Sequence, residues 1–552
     1  MADGDPPRFG GARAGALALL LLLAAATALG LHDVRRFEAT DPLARVPYGD
    51  SLVYLEEARR HFGTSTEGPE TRPGAFYKPP LTTWILARLD ADTEAGAARF
   101  RRLQLVLGLV TLASVFLLAH ARAGAAAGFA AGLLLLGYAP FAFHQTKLLD
   151  TLPSLALTAA SFVLLDRMAR RGGGVGLGLA AGLLLGVSAL ARAANLVFLV
   201  LVAFLPRGRA TWPGRAAILV GAIVPVAATA VRNHEASGDW IPVNYSEGHT
   251  FLVGNHPGAR GIYDLPPGYP DGVGNEREVE RALARAHLGR DPSPAEQRDH
   301  SYRTALGFLK ADPGAAVRRE IDKLRFAVDA YPVNDNHSLH RERERFGLLP
   351  GRFVPFPLLL VLGLAGLFAR SSRPRGPLAL PIVVTSVLLL AFYVTERYRL
   401  PAAPFLAAAG GVGLARLFDP GEGRRVLTGV ALVGGAWLLF TGLRPLPYPP
   451  AILRQNEQLF DLSLDLYAAR ALARDGDVAA AGRTLARSVV DHPRDPRQAE
   501  LEAALLDLLH GRSDDEVAEI AAAVRSAAPG AARLEALLRL AGAPPLSGGA
   551  GG

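Results

Sequence analysis

The chain has 552 residues, half of them apolar, a mean hydropathy of +0.21 and no cysteine. That is too apolar for an ordinary soluble protein, and it excludes disulfides, cysteine-ligated metals and cysteine nucleophiles. The net charge is +8, from 59 basic and 51 acidic residues. The arginines gather in short gaps between apolar runs and accompany no base-reading motif, which argues for a topology signal and against nucleic acid.

Apolar runs near membrane length, ~20 residues, fall at 14–31, 103–121, 124–143, 149–166, 174–191, 194–206, 214–231, 353–369, 377–394, 400–417 and 425–442. These predict an α-helical polytopic membrane protein with about eleven transmembrane helices. The run 194–206 is the shortest. The first run is read as an uncleaved anchor rather than a cleaved signal peptide. Arg122, Arg167, Arg170, Arg171, Arg207, Arg209, Arg215, Arg370, Arg373, Arg375, Arg416, Arg424 and Arg425 mark alternate gaps as cytoplasmic. The remaining gaps then face outward, among them a first outer loop at 32–102 and a large one at 232–352. Most of the unusual polar residues lie in or beside these outward gaps, so an active face is expected outside, where an enzyme takes its activated group from a lipid.

In the first outer loop, Asp50 precedes the helical pattern Leu52, Leu55, Glu56, Arg59. It suits a helix cap, and a cap at the membrane surface also holds a carboxylate toward a substrate as a general base. Glu56 and Glu57 fit a solvated helix face, with Glu57 and Tyr54 also candidates for a substrate cavity. Lys78 stands before Pro79-Pro80, which restricts it to extended geometry. The stiff cation suits a phosphate, or equally an interfacial anchor beside Tyr77 and Trp84. Around the fourth run, Lys147 and Asp150 pair at i, i+3 or send Asp150 into the cavity of Asp50, while His144 is a shuttle or a plain interfacial histidine. Arg192 and Asn195 lie in the next outward gap. Arg232-Asn233, the run Asn244 to Phe251 and Gly254-Asn255-His256-Pro257 form a loop or a lid. Residues 276–329 read as charged amphipathic helices. Arg397 and Arg399, with Glu396, are interface anchors or a cationic clamp for a phosphate oxyanion, and Tyr398 between them is a candidate for the substrate cavity.

The division expected is a transmembrane domain at 1–445, a helical outer tail at 446–545 and a flexible end at 546–552. Within the tail, Ala468-Ala469, Ala481, Leu485 and Pro493 match the spacing of one tetratricopeptide unit, or of plain helical hairpins. The tail suits docking of a protein partner. No P-loop, dinucleotide fingerprint or zinc-protease motif occurs, and the sequence supports no cofactor and no metal site.

Taken together, Asp50 … Tyr54 … Ala58, Lys78-Pro79-Pro80-Leu81 … Trp84, Arg99, Asp150, Gly248 … Phe251 … Gly254-Asn255 and Glu396-Arg397-Tyr398-Arg399-Leu400-Pro401 … Pro404 resemble the bacterial lipid-dependent glycosyltransferases of the GT-C superfamily. The branch is that of protein O-mannosyltransferases and aminoarabinose transferases, glycosyltransferase family 39-like. The resemblance covers about 30–410, and the tail resembles the helical-repeat extension of some members. It implies a multi-pass protein of the bacterial cytoplasmic membrane that transfers a hexose or pentose from a polyprenyl-phosphate donor, with inversion, to a protein, lipid or glycan acceptor outside. It implies Asp50 as catalytic base, Asp150 as second acid, and Lys78 with Arg397 or Arg399 on the donor phosphate, with Arg192 added from the residue reading. The family often shows Asp-Glu where this chain has Asp50-Ser51, which leaves any role of a second adjacent carboxylate open. Metal dependence does not follow from the resemblance. The competing readings are a ligase or polymerase of lipid-linked sugars, a flippase or transporter of them, and a non-catalytic assembly factor. A transporter would want charges within the spans and internal repeats, and neither is seen.

Overall fold

The computed structural model describes residues 12–45, 47, 49–63, 68–202, 211–266, 269, 276–335, 337–347, 349–369, 375–419, 421–441, 464–491 and 498–544. Among them there is no β-strand, and the chain is an α-helical polytopic membrane protein. It divides into two compact units. The first holds residues up to 35, 49–339 and 348–445; the second holds 36–48, 340–347 and the chain beyond 445. Two short pieces of the expected transmembrane domain thus belong with the tail.

In the first unit, α1 (Ala12–Thr40), α4 (Glu94–Leu136), α6 (Thr151–Arg171), α9 (Trp212–Ser237) and α19 (Glu422–Thr441) are long and apolar enough to cross a membrane. Between α1 and α4 lie α2 (Asp50–Phe62) and α3 (Pro80–Arg88) of the first outer loop. The two runs expected at 103–121 and 124–143 are joined in α4 but fold back at Ala123-Gly124. Gly124 has φ +80°, open to glycine without strain, and a Cβ at Gly128 would strike the ring of Phe116. The second of these runs continues into the short α5 (Ala139–Phe143).

Several other runs give helices of 6 to 17 described residues. These are α7 (Val175–Ala191), α8 (Leu196–Leu201), α15 (Phe356–Gly366), α16 (Gly376–Ala391) and α18 (Ala403–Arg416). At 1.5 Å per residue the 16 residues of α16 rise about 24 Å, short of the ~30 Å hydrocarbon core. Helix α7 packs closely on α9 through Gly178, Gly182 and Gly186: a Cβ at Gly182 would lie 2.1 Å from the carbonyl of Ile218. Small residues four apart permit that approach, so Gly178 is a packing residue.

The large outer loop supplies α10 (Glu247–Gly254) and then α11 (Glu276–Leu288), α12 (Pro294–Ala311) and α13 (Pro313–Ala327), the last three being the charged helices expected over 276–329. A reciprocal Ser293–Glu296 capping box starts α12. α14 (Leu339–Phe346) precedes α15, and the four-residue α17 (Glu396–Arg399) precedes α18.

The second unit is helical. After α20 (464–474) come α21 (Val478–Asp491), α22 (Gln498–Leu509), α23 (Asp514–Ala527) and α24 (Ala532–Leu540). Ala481, Leu485, Leu501, Leu505, Ile520, Ala521 and Leu538 form its core, and Leu43 packs on Leu464. Ala468, Ala469, Ala481 and Leu485 of the repeat-like spacing are all buried. Pro493 and the end expected to be flexible, 546–552, lie outside the described residues.

Candidate functional site

The turn into α2 begins with Gly49 at φ +58°. Asp50 is then the first helical residue, one past the N-cap position that Gly49 holds. This corrects the expected capping role: the carboxylate turns to side chains instead. Oδ1 accepts from Lys78 Nζ at 2.9 Å, and Oδ2 lies 2.7 Å from Arg397 Nη1. The amino-terminal turn of a helix also favours a negative charge. Burial alone would push the Asp50 carboxyl up, but the charges of Lys78 and Arg397 outweigh it and hold the group well below the usual carboxylate range. Burial likewise pulls the Lys78 ammonium down, and Asp50 and Glu276 more than reverse it, so that Lys78 stays charged.

Lys78 is fixed through its neighbour. The Tyr77 N–H donates to Glu57 Oε2 at 2.9 Å, the Tyr77 carbonyl accepts from Asn244 Nδ2 at 3.1 Å, and the Tyr77 hydroxyl donates to Glu280 Oε2 at 3.2 Å. Pro80 starts α3 immediately beyond, where its missing N–H costs nothing. Glu57 is therefore neither on a solvated face nor in the cavity. It is buried, with His61 Nε2 at 3.2 Å and Arg277 Nη1 at 3.4 Å, and acts on the site by holding the strand of chain that carries Lys78. Glu56, its neighbour, is exposed.

Asp150 directly precedes α6. Gln104 on α4 donates to the carbonyls of Lys147 (2.9 Å) and Leu149 (3.2 Å), which fixes this approach. Asp150 does not pair with Lys147. It accepts two hydrogen bonds from Arg192, at 3.0 and 3.3 Å, across the α6–α7 layer, while Lys147 lies over the Phe143 ring. Two-point recognition of this kind is the strong form of the arginine–carboxylate pair. The guanidiniums of Arg192 and Arg397 lie 5.5 and 5.3 Å from the Tyr398 ring centre, close enough for cation–π attraction.

Asp50, Tyr54, Lys78, Asp150, Arg192, Arg397 and Tyr398 thus come together, and all seven line one cavity of about 380 Å³. Asn195 lines it too. A second wall carries Asn244, Ser246, Glu247, Thr250 and Tyr302, and a third is apolar, with Leu196, Val197 and Phe198 of α8 and Val384, Leu388 and Phe392 of and after α16.

Two candidates lie elsewhere. Arg399 pairs with Glu396 and donates to the carbonyl of Asp329 at 2.6 Å, so it braces the chain after α13 rather than facing the cavity. His144 lines a much smaller void with His337, Asp335 and Arg397. Arg99, at the start of α4, donates to the Leu89 carbonyl at 2.8 Å.

One buried carboxylate beside the site was not singled out by the sequence: Asp335, 2.8 Å from Arg397 Nε. Burial pushes its carboxyl up to about 6 against the pull of Arg397. It stands in a turn with no periodicity, and the polar run Asn334-Asp335-Asn336-His337 was its only signal. Among the described residues no three His, Asp or Glu side chains gather as a metal-ligand set; Asp50 and Asp150 face cations instead.

No protein-family model and no curated protein matches the chain. Among solved structures, the chain is similar to the oligosaccharyltransferase of Archaeoglobus fulgidus in its apo form, at 14% identity and a TM-score of 0.43, over 89% of this chain and 59% of that one. It is also similar to ArnT from Cupriavidus metallidurans bound to undecaprenyl phosphate, at 16% identity and a TM-score of 0.35, over 92% of this chain and 77% of that one. A third similar structure is the oligosaccharyltransferase AglB of Archaeoglobus fulgidus in complex with an inhibitory peptide and a dolichol-phosphate, at 15% identity and a TM-score of 0.36, over 88% of this chain. The chain spans 59% of the length of both oligosaccharyltransferase structures.

Proposed function

We propose that the protein is an integral membrane glycosyltransferase that moves a hexose or pentose from a polyprenyl-phosphate donor to an acceptor, with inversion, on the extracytoplasmic face of a bacterial cytoplasmic membrane. The observation that carries this is a carboxylate held between two cations in a cavity that is also lined by apolar residues of and beside α8 and α16. A phosphate with a long apolar tail has that same mixed character.

In this reading the donor phosphate takes Lys78, Arg397 and Arg192, and the prenyl chain leaves between α8 and α16. The acceptor hydroxyl or amine attacks the anomeric carbon from the face opposite the phosphate. The carbon–oxygen bond to the phosphate breaks, the bonding pair stays with the lipid phosphate, and the acceptor proton passes to Asp50. Fixed cations in a water-poor site stabilise the charge gathering on the departing phosphate.

The low proton affinity of Asp50 fits this sequence of events. Clamped by Lys78 and Arg397, the carboxylate is a weak base. A donor phosphate that draws those cations away returns Asp50 toward ordinary basicity, so the base strengthens only once the donor is in place. Asp150, held by Arg192, keeps that arginine directed across the cavity. Acceptor identity is left to experiment, and the helical tail offers a surface for a protein partner.

The test is consumption of radiolabelled polyprenyl-phosphate sugars, offered as a panel to the reconstituted protein. One sugar lipid is expected to be turned over in an acceptor-dependent way. If no member of the panel is consumed with any of protein, lipid or glycan acceptors, the assignment fails.

A further inference from the structure

One stretch of the cavity lining supplies polar groups but no cation of its own. It is built from the turn before α10 and the first turns of α10, with Asn244, Ser246, Glu247 and Thr250, and Tyr302 joins from α12. Such a lining suits a ligand rich in hydroxyls, which both donate and accept hydrogen bonds.

Two details sharpen this. The Asn244 amide nitrogen is fully engaged: Nδ2 donates to the Tyr77 carbonyl at 3.1 Å, to Ser246 Oγ at 2.9 Å and to Glu247 Oε2 at 3.2 Å. Its Oδ1 accepts nothing, although the residue is only 2% exposed. A buried acceptor with no donor is unfavourable, so a ligand donor that reaches it gains from the match. Glu247 forms no ion pair among the described residues, and burial pushes its carboxyl up to about 7. A carboxyl and an amide oxygen side by side are a common match for neighbouring hydroxyls.

The location fixes which hydroxyls. Asn244 is bonded to the carbonyl of Tyr77, the residue before Lys78. The polar wall therefore begins beside the cation assigned to the donor phosphate, and in the donor the sugar ring is the group attached directly to that phosphate.

We propose that Asn244, Ser246 and Glu247 form the subsite that holds the hydroxyls of the transferred sugar ring. This rests on the donor assignment above. It makes the three side chains sugar-selecting residues, distinct from the cluster that handles the phosphate and the proton.

The experiment compares two ligands on the full-length protein in lipid nanodiscs. One is bare undecaprenyl phosphate. The other is a set of undecaprenyl-phosphate-linked mannose, glucose and arabinose. In the parent protein the preferred sugar lipid should bind more tightly than the bare lipid. Glu247→Ala should remove about tenfold or more of that preference while bare undecaprenyl phosphate binds within about twofold of the parent. Glu247→Gln, which keeps the shape and one acceptor, should lose less, and Ser246→Ala should reorder preferences among the sugars. The subsite is overturned if both variants keep the parent's sugar preference, or if Glu247→Ala weakens bare and sugar-bearing lipids equally. If the parent protein binds neither lipid, the donor assignment itself falls, and the subsite with it.

Discussion

The two ends of α6 hold superficially similar charges and use them in opposite ways. Near the carboxyl end, Asp166 is 1% exposed and closed between Arg122 Nη2 at 2.7 Å and Arg170 Nε at 2.5 Å. Arg122 also donates to the Leu118 carbonyl at 2.7 Å, and no described cavity reaches the cluster. At the amino end, Asp150 and Arg192 open onto the 380 Å³ cavity together with Asp50, Lys78 and Arg397. Sixteen residues separate the two aspartates, about 24 Å along the helix. The closed cluster locks helices α4 and α6. The open one keeps its charges at a void, where a ligand can exchange partners with them.

The comparison breaks most visibly at the closed end. Asp166→Ala leaves Arg122 buried without its carboxylate, which should cost about 3–5 kcal/mol. It should show as a large loss of folded protein in detergent thermal melts. Arg122→Met with Asp166→Leu removes both charges and should come back close to the parent, since a buried pair is weak evidence for net stability.

At the open end the cost appears in binding rather than folding. Lys78→Met should weaken bare polyprenyl phosphate by about ten- to a hundredfold, the worth of one charged hydrogen bond. The melting temperature should change little, because Tyr77 continues to be held by Glu57, Asn244 and Glu280. Equal loss in melting and in binding would erase the distinction between the two ends.

A smaller effect is expected from pH. Asp335 has its carboxyl pushed up to about 6, so the folded protein holds that proton more tightly than the unfolded chain, whose carboxyl titrates near ~3.9. Its contribution is present below ~pH 4 and lost as pH rises through about 6. Asp50, held low, has the opposite sign: its contribution is present above ~pH 4 and lost as pH falls toward its depressed value. Asp335→Asn should therefore flatten the fall in stability between ~pH 4 and 6 without touching the acid side, as read by melts across that range. The least effect belongs to the exposed Arg281–Asp291 pair on the outer loop, where Arg281→Ala should stay within about 0.5 kcal/mol.

Much of this was legible in the sequence, for reasons that can be named. Charged residues at the edges of apolar runs are expensive and few, so Asp50, Lys78, Asp150, Arg192 and Arg397 stood out, and the alternation of arginine-rich gaps put them on one side. What the sequence could not decide was which charge would be claimed by nearby backbone. Glu57 is taken by the Tyr77 N–H, and Arg399 by Glu396 and the Asp329 carbonyl, contacts that depend on how distant segments cross. Asp50 looked like a cap because it begins a helix. Gly49 takes the turn instead and frees the carboxylate for the cations. Asp335 was hidden because turns carry no period.

The most direct test is Asp50→Asn in reconstituted vesicles, measured for both transfer and binding of bare polyprenyl phosphate. The account predicts that transfer falls by roughly 10²–10⁴-fold, the usual worth of a general base. It also predicts that bare lipid phosphate binds more tightly than to the parent, because Lys78 and Arg397 no longer serve a competing carboxylate. Undiminished transfer, or weaker binding of the lipid phosphate, would contradict the claim that Asp50 and the donor share those two cations.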